Sequence, residues 1–272
     1  MGFSIEGIVG VFSVVSPLIA GFLYINYGLV EGMRIAYWIV VIAFLLAAII
    51  RLKLRETVDV NIKKLDLVDV MRCYPTAIRE SVNVWKLIPR TMLYLFSIHA
   101  AVSFFAQMCG PYYVVYATKV LSIEKVQWSL LIALQQAVMF CSLLPIGKIV
   151  DVYGRKRPLV MIHFITMLAM PFFIYGDFTK LIVFFTLSGI CNSMFVAYQS
   201  LEDELVPREH RGKVIGFTQF FEYILASIGQ LLGGYLYERI SPQLPFLLFL
   251  ASTVPCAILT LLLIHEPEKR EI

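Results

Sequence analysis

Charge is scarce in this sequence. Of 272 residues, only 15% are Asp, Glu, Lys or Arg, whereas a soluble domain carries about a quarter. Cysteine is sparse and unpatterned. The five are Cys73, Cys109, Cys141, Cys191 and Cys256, with no C-x-x-C pair. That excludes a disulfide scaffold and reads as small core hydrophobes. Four histidines scattered over four segments form no zinc or haem site. There is no P-loop, no H-E-x-x-H and no G-x-S-x-G. Nothing therefore points to ATP as the drive or to an enzyme. No catalytic residue, metal ligand or cofactor is assigned. The net charge of +4 implies no nucleic-acid partner.

Apolar sequence is abundant. The apolar and aromatic share is 59% and the mean hydropathy is +0.79. One soluble core could not hide this much apolar surface, so the solvent is a lipid bilayer. Long apolar runs fall at 3–26, 35–50, 91–117, 126–146, 159–175, 181–199, 214–237 and 244–264. Runs of this length favour helices, because backbone groups in lipid must be satisfied within the segment. The fold class is all-α, with about eight membrane spans. The first run lacks a basic leader region and is long enough to span, so it reads as a span rather than a cleaved signal.

The basic residues orient the bundle. With both termini in the cytoplasm, the inner segments 51–90, 148–157, 208–213 and the tail carry 18 of the 23 Lys and Arg residues. The outer side holds Arg34, Lys119, Lys125, Lys180 and Arg239. Such a split predicts a multi-pass protein with cytoplasmic termini, and the plasma membrane is the expected location. The 51–90 stretch mixes nine basic with five acidic residues and reads as one or two amphipathic helices on the inner surface. SPLIAGFLY (16–24) matches GQLLGGYLY (229–237), with Leu18, Gly21, Leu23 and Tyr24 recurring as Leu231, Gly234, Leu236 and Tyr237. In each copy a further span and a charged segment follow. The first two spans thus look like a parallel copy of the last two, a pattern found in transporters.

GKIVDVYGRKRPL (147–159) joins two spans on the basic side. Gly147 and Gly154 suit a very short loop that needs tight backbone geometry. Through Gly147, Asp151, Gly154, Arg155, Lys156 and Leu159 it resembles the cytoplasmic loop signature of the major facilitator superfamily. Val152 departs from that signature, standing where the family has Arg. Glu204, Pro207, Arg211, Gly212 and Gly216 resemble the family's loop before the penultimate span, with Pro207 ending a helix and Arg211 in reach of phosphates or Glu204.

The resemblance implies a twelve-span helical bundle in two halves, here N-terminally incomplete. Residues 1–54 would be the last two spans of the first half, 55–90 the central cytoplasmic loop and 91–272 the six-span second half. The four remaining spans would come from upstream sequence or a separate chain. It also implies that Asp151 contacts the start of a neighbouring helix near Val214 and holds the outward-facing state. SPLIAG (16–21) resembles the family's antiporter signature, with Ser16 and Ala20 in place of glycines.

Polar residues inside spans are the candidates for a substrate or proton pathway. Gln219, Glu222, Tyr223 and Gln230 share one helical face, as do His99, Ser103 and Gln107. Glu222 reads either as a proton- or cation-binding group or as a carboxylate paired with Lys or Arg at the cytoplasmic mouth. Gly110-Pro111 should kink or break its helix. Tyr112, Tyr113 and Tyr116 beyond it read as an interfacial belt or as gate contacts. Gln135, Asn192 and Gln199 complete the candidates, and His163 reads as packing.

The expected function is secondary active transport of a small organic solute by alternating access, proton-coupled and leaning to export. A symporter taking up a sugar or organic acid is the alternative. A non-transporting membrane scaffold or an inactive remnant is the reading from another class.

Overall fold

The computed structural model describes residues 2–53, 88–207 and 209–265. The proposed amphipathic loop lies almost wholly outside them. The described residues are helical apart from short connections. In chain order the elements are α1 (Gly2–Arg51), α2 (Arg90–Cys109), a 3-10 turn (Gly110–Tyr112), α3 (Tyr113–Lys119), α4 (Lys125–Tyr153), α5 (Lys156–Ile174), α6 (Phe178–Leu205), α7 (Arg211–Arg239) and α8 (Leu244–Leu263).

Helix α1 holds the first two expected spans without a loop between them. Gly28 interrupts it with φ 73° and ψ −175°, a conformation essentially reserved for glycine. The chain doubles back there. A Cβ on Gly32 would stand 2.9 Å from the Leu23 carbonyl oxygen, whereas nine residues of straight helix would separate them by about 13 Å. Most of its side chains beyond Gly28, including Tyr37, Trp38, Phe44 and Ile50, are exposed. A helix apolar on all sides suits lipid.

Among the described residues, six helical segments are long and apolar enough to cross a membrane. The difference from eight has two causes. The Val14–Arg51 stretch counts once although it holds the Gly28 reversal. Helix α7 falls outside the six because Gln219, Glu222, Gln230 and its glycines dilute its hydropathy. The segments expected to span are all helical.

The packing of the six-helix unit has an internal symmetry. Helix α4 packs on α6 as α7 packs on α2, α5 packs on α6 as α8 packs on α2, and α5 meets α8. Exchanging α2 with α6, α4 with α7 and α5 with α8 preserves this pattern. Helix α1 adds to the outside of α4. Two cores result. One, at the end carrying both loop signatures, includes Met92, Val150, Leu159, Leu205 and Val214. The other includes Tyr116, Phe173, Phe184 and Phe246.

The tyrosines after Gly110-Pro111 belong to that second core rather than to an interfacial belt. Tyr116 is fully buried and its hydroxyl donates to the Ile174 carbonyl at 2.8 Å. Tyr113 packs on Phe173 and Phe246, and Tyr112 stacks on Tyr237 at 5.0 Å. The Gly110-Pro111 step becomes one 3-10 turn, because proline has no N–H for the α-helical ladder. At the connection between α5 and α6, Asp177 caps α6 by accepting from the Lys180 backbone N–H at 3.0 Å. That bond, helped by the Lys180 charge, holds the exposed carboxyl below its usual range.

Candidate functional site

Glycines set the α2–α7 seam. A Cβ on Gly229 would stand 2.7 Å from the Phe104 carbonyl oxygen, and one on Gly233 would collide with the Met108 carbonyl. Only hydrogen in place of a side chain lets the backbones approach this closely. The seam includes the second copy of the internal repeat. The first copy works similarly, with Gly21 seated against Ser129 of α4.

Two polar rungs cross this seam in one register. His99 Nε2 lies 3.3 Å from Glu222 Oε1, with side chains 23% and 24% exposed. Eight residues further along both helices, Gln230 Nε2 donates to Gln107 Oε1 at 3.1 Å. The equal offset means the helices run parallel, and eight residues put the rungs about 12 Å apart. Four sequence candidates therefore meet in pairs. Ser103 lies between the rungs on the face of α2 that carries His99 and Gln107. Gln219 and Tyr223 belong to α7 but stay exposed, with Tyr223 71% exposed. Among the described residues Glu222 forms no ion pair with Lys or Arg; His99 fills that place. The His99 ring also packs against Tyr198 at 4.2 Å and Phe195 at 5.5 Å.

Sequence reasoning missed Glu202. Its Oε1 is buried and, among the described residues, accepts no hydrogen bond. It lies within electrostatic reach of Glu222. The E-D-E run at 202–204 lies beyond the apolar run that ends at 199, but α6 continues to Leu205 and carries Glu202 into the packed end. His163 does more than fill space. Thr260 Oγ1 donates to the Cys256 carbonyl at 2.7 Å, so it accepts from His163 Nε2 at 3.1 Å. That bookkeeping leaves Nδ1 of a neutral His163 as an acceptor.

The two loop signatures meet through Arg155 and Glu204. Their side chains form an ion pair and are 11% and 16% exposed. Arg155 Nε also donates to Ser200 Oγ at 3.4 Å. Glu204 pairs with Arg155, and Arg211 engages other partners. Arg211 lies 3.7 Å from the Asp203 carboxylate and donates to the Val206 carbonyl at 3.3 Å and to that of Asp203. Gly154 ends α4 at φ 88°, as the short loop requires. Gly147 does not share that role. It sits inside α4, and a Cβ there would meet nothing within 4 Å. Gly212 is equally unconfined. Asp151 is exposed on the last turn of α4 and Lys156 opens α5; both make contacts within the protein.

Gln135 and Asn192 line a separate cavity of about 400 Å³ between α4, α5 and α6. Gln199 lies on the exposed side of α6 outside it. Among the described residues no cluster of His, Cys, Asp and Glu has the make-up of a metal site.

No curated protein is similar enough in sequence to count as a relative. The model of the Major Facilitator Superfamily matches residues 95–272, which takes in both signatures, both polar rungs and the cavity. This is a family of transporters that carry small solutes across lipid bilayers, not a family of enzymes. The chain is thus a multi-pass membrane protein, and it belongs to the major facilitator superfamily of secondary transporters.

Proposed function

We propose that the chain carries a small organic solute by alternating access, coupled to protons through Glu222 and His99 and running outward from the cell. The observation that supports this most is the His99–Glu222 pair, 3.3 Å apart and mostly buried in a helix seam. A carboxylate in such a place is costly unless it is paired or protonated. Taking up a proton neutralises Glu222 and removes its hold on His99. Losing the proton restores the pair and tightens the α2–α7 seam. One site thus links proton occupancy to helix position, which is what coupling needs.

Arg155–Glu204 serves as a latch toward the same end of the bundle, beside the two loop signatures. It ties the start of α5 to the end of α6 beside a short loop, so relative movement of these two helices would strain it. The uneven distribution of Lys and Arg supports a cytoplasmic position for this latch and for both termini. Gln107, Gln230 and Ser103 would border the path, with Gln135 and Asn192 in the solute pocket. The SPLIAG likeness supports export over uptake.

The test is proton-driven solute flux in proteoliposomes with the wild-type chain and Glu222→Gln. Flux that follows the pH gradient in wild type and ignores it in the variant is the expected result. Coupling unchanged by the substitution would sink the assignment of Glu222.

A further inference from the structure

Among the described residues, the solute pocket is lined by no carboxylate, ammonium, guanidinium or imidazole. Its 400 Å³ are bordered by residues from α2 to α6 and by Phe249 of α8, a volume in the range of small-molecule sites. The polar groups facing it are neutral. Gln135 comes from α4, and Ser188 and Asn192 come from one face of α6. None of these three side chains makes a hydrogen bond with a described residue. Thr166 and Cys191, also on the wall, are engaged with each other at 3.8 Å. The pocket therefore holds three open polar side chains, two of them amides that donate and accept at once.

Its other walls are aromatic. Trp128, Tyr113, Phe184 and Phe185 surround the space. Trp128 meets Phe185 edge to face at 5.3 Å, and Phe184 meets Phe185 likewise at 5.2 Å. A fixed backbone contact holds the polar groups in line. A Cβ on Gly189 would stand 2.7 Å from the Gln135 carbonyl oxygen, so α4 and α6 touch beside the residues that aim into the cavity.

Resting on the transport reading above, we infer that this pocket selects an uncharged, ring-bearing solute with an amide or hydroxyl group. An anion would find no cation here, and a cation would find no carboxylate. Either would leave water for a site that offers only dipoles and ring faces. Ring faces attract cations, but part of them is already engaged in edge-to-face contacts. A neutral ring fits between the aromatic walls, and its amide or hydroxyl completes the hydrogen bonds that Gln135, Ser188 and Asn192 leave open.

The experiment uses the whole chain in lipid nanodiscs. Of its three tryptophans, Trp38→Phe and Trp85→Phe leave Trp128 as the reporter in the pocket. Benzamide, benzoate and benzylammonium share one ring and differ in charge. Benzamide should change Trp128 fluorescence saturably, with the two ions at least tenfold weaker and Gln135→Leu reducing benzamide binding at least tenfold. Asn192→Asp keeps the side-chain shape and adds a carboxylate, so it should reverse the preference toward benzylammonium. The inference is overturned by no saturable benzamide response, by an ion binding as tightly as benzamide, or by an Asn192→Asp chain with unchanged preference. Benzamide counterflow in proteoliposomes reads out transport separately. Saturable pocket binding without flux keeps the pocket and removes only the transport reading.

Discussion

His99 on α2 and Glu222 on α7 face each other at 3.3 Å, 123 residues apart in sequence. The same offset recurs at Gln107 and Gln230, so one interhelical register aligns both rungs. Glycines 229 and 233 enforce that register by pressing α7 onto the carbonyls of α2.

If the first rung carries the proton, its two members act as a unit. His99→Gln and Glu222→Gln should each lower pH-gradient-driven flux about tenfold or more. The double variant should lose little beyond either single one, because coupled groups are not additive. Flux in proteoliposomes under a fixed membrane potential measures this. Additive losses would separate the two roles.

The Arg155–Glu204 pair should behave as a buried charge pair. Removing one partner strands the other, which costs about 3 kcal/mol or more. Arg155→Ala or Glu204→Ala should therefore sharply lower the unfolding midpoint in detergent. The exchange Arg155→Glu with Glu204→Arg should recover part of the loss. Removal of both charges should cost less than the two single losses combined.

Two glycines of α7 should respond in opposite directions. Gly233→Leu drives a side chain into the Met108 carbonyl and should cost about 1–3 kcal/mol or more, together with the His99–Glu222 coupling. Gly216 has nothing within 4 Å of a Cβ. Gly216→Ala should be neutral or stabilise by up to about 1 kcal/mol, since alanine is the better helix former. Thermal unfolding of the two variants, side by side, is the check.

Asp177 predicts a small acid dependence of stability. Its folded carboxyl ionises more readily than the unfolded one because the Lys180 N–H bonds to the charged form. The contribution is present above the unfolded pKa and fades as pH falls through the depressed folded value. Asp177→Asn keeps a good N-cap and should flatten this part of the pH profile below the ordinary Asp pKa of about 3.9. Asp177→Ala should flatten it and lower stability at neutral pH as well. Unfolding midpoints across that acid range measure both.

Much of the fold was legible because it is local. Apolar run length marks a helix in lipid wherever the run lies, and the expected spans are helical. Gly154 and Pro207 end their elements as backbone geometry demands of those residue types. Gly147 shows where such local reading fails. A glycine in a loop signature can equally sit in an ordinary helix, and only the position of the α4 end distinguishes the two.

What the sequence by itself determined is the bilayer as solvent, the helices, the two loop signatures and the membership of His99, Gln107, Glu222 and Gln230 in polar helix faces. Periodicity assigns a residue to a face and stops there. The tertiary structure decided which faces meet. It gave Glu222 a histidine, gave Glu204 to Arg155 rather than Arg211, buried an oxygen of Glu202, and gathered Gln135, Ser188 and Asn192 around one uncharged pocket. The physical reason is that partners across helices depend on register. Register here is set by close backbone approaches at Gly189, Gly229 and Gly233, whose neighbours lie far away in the chain.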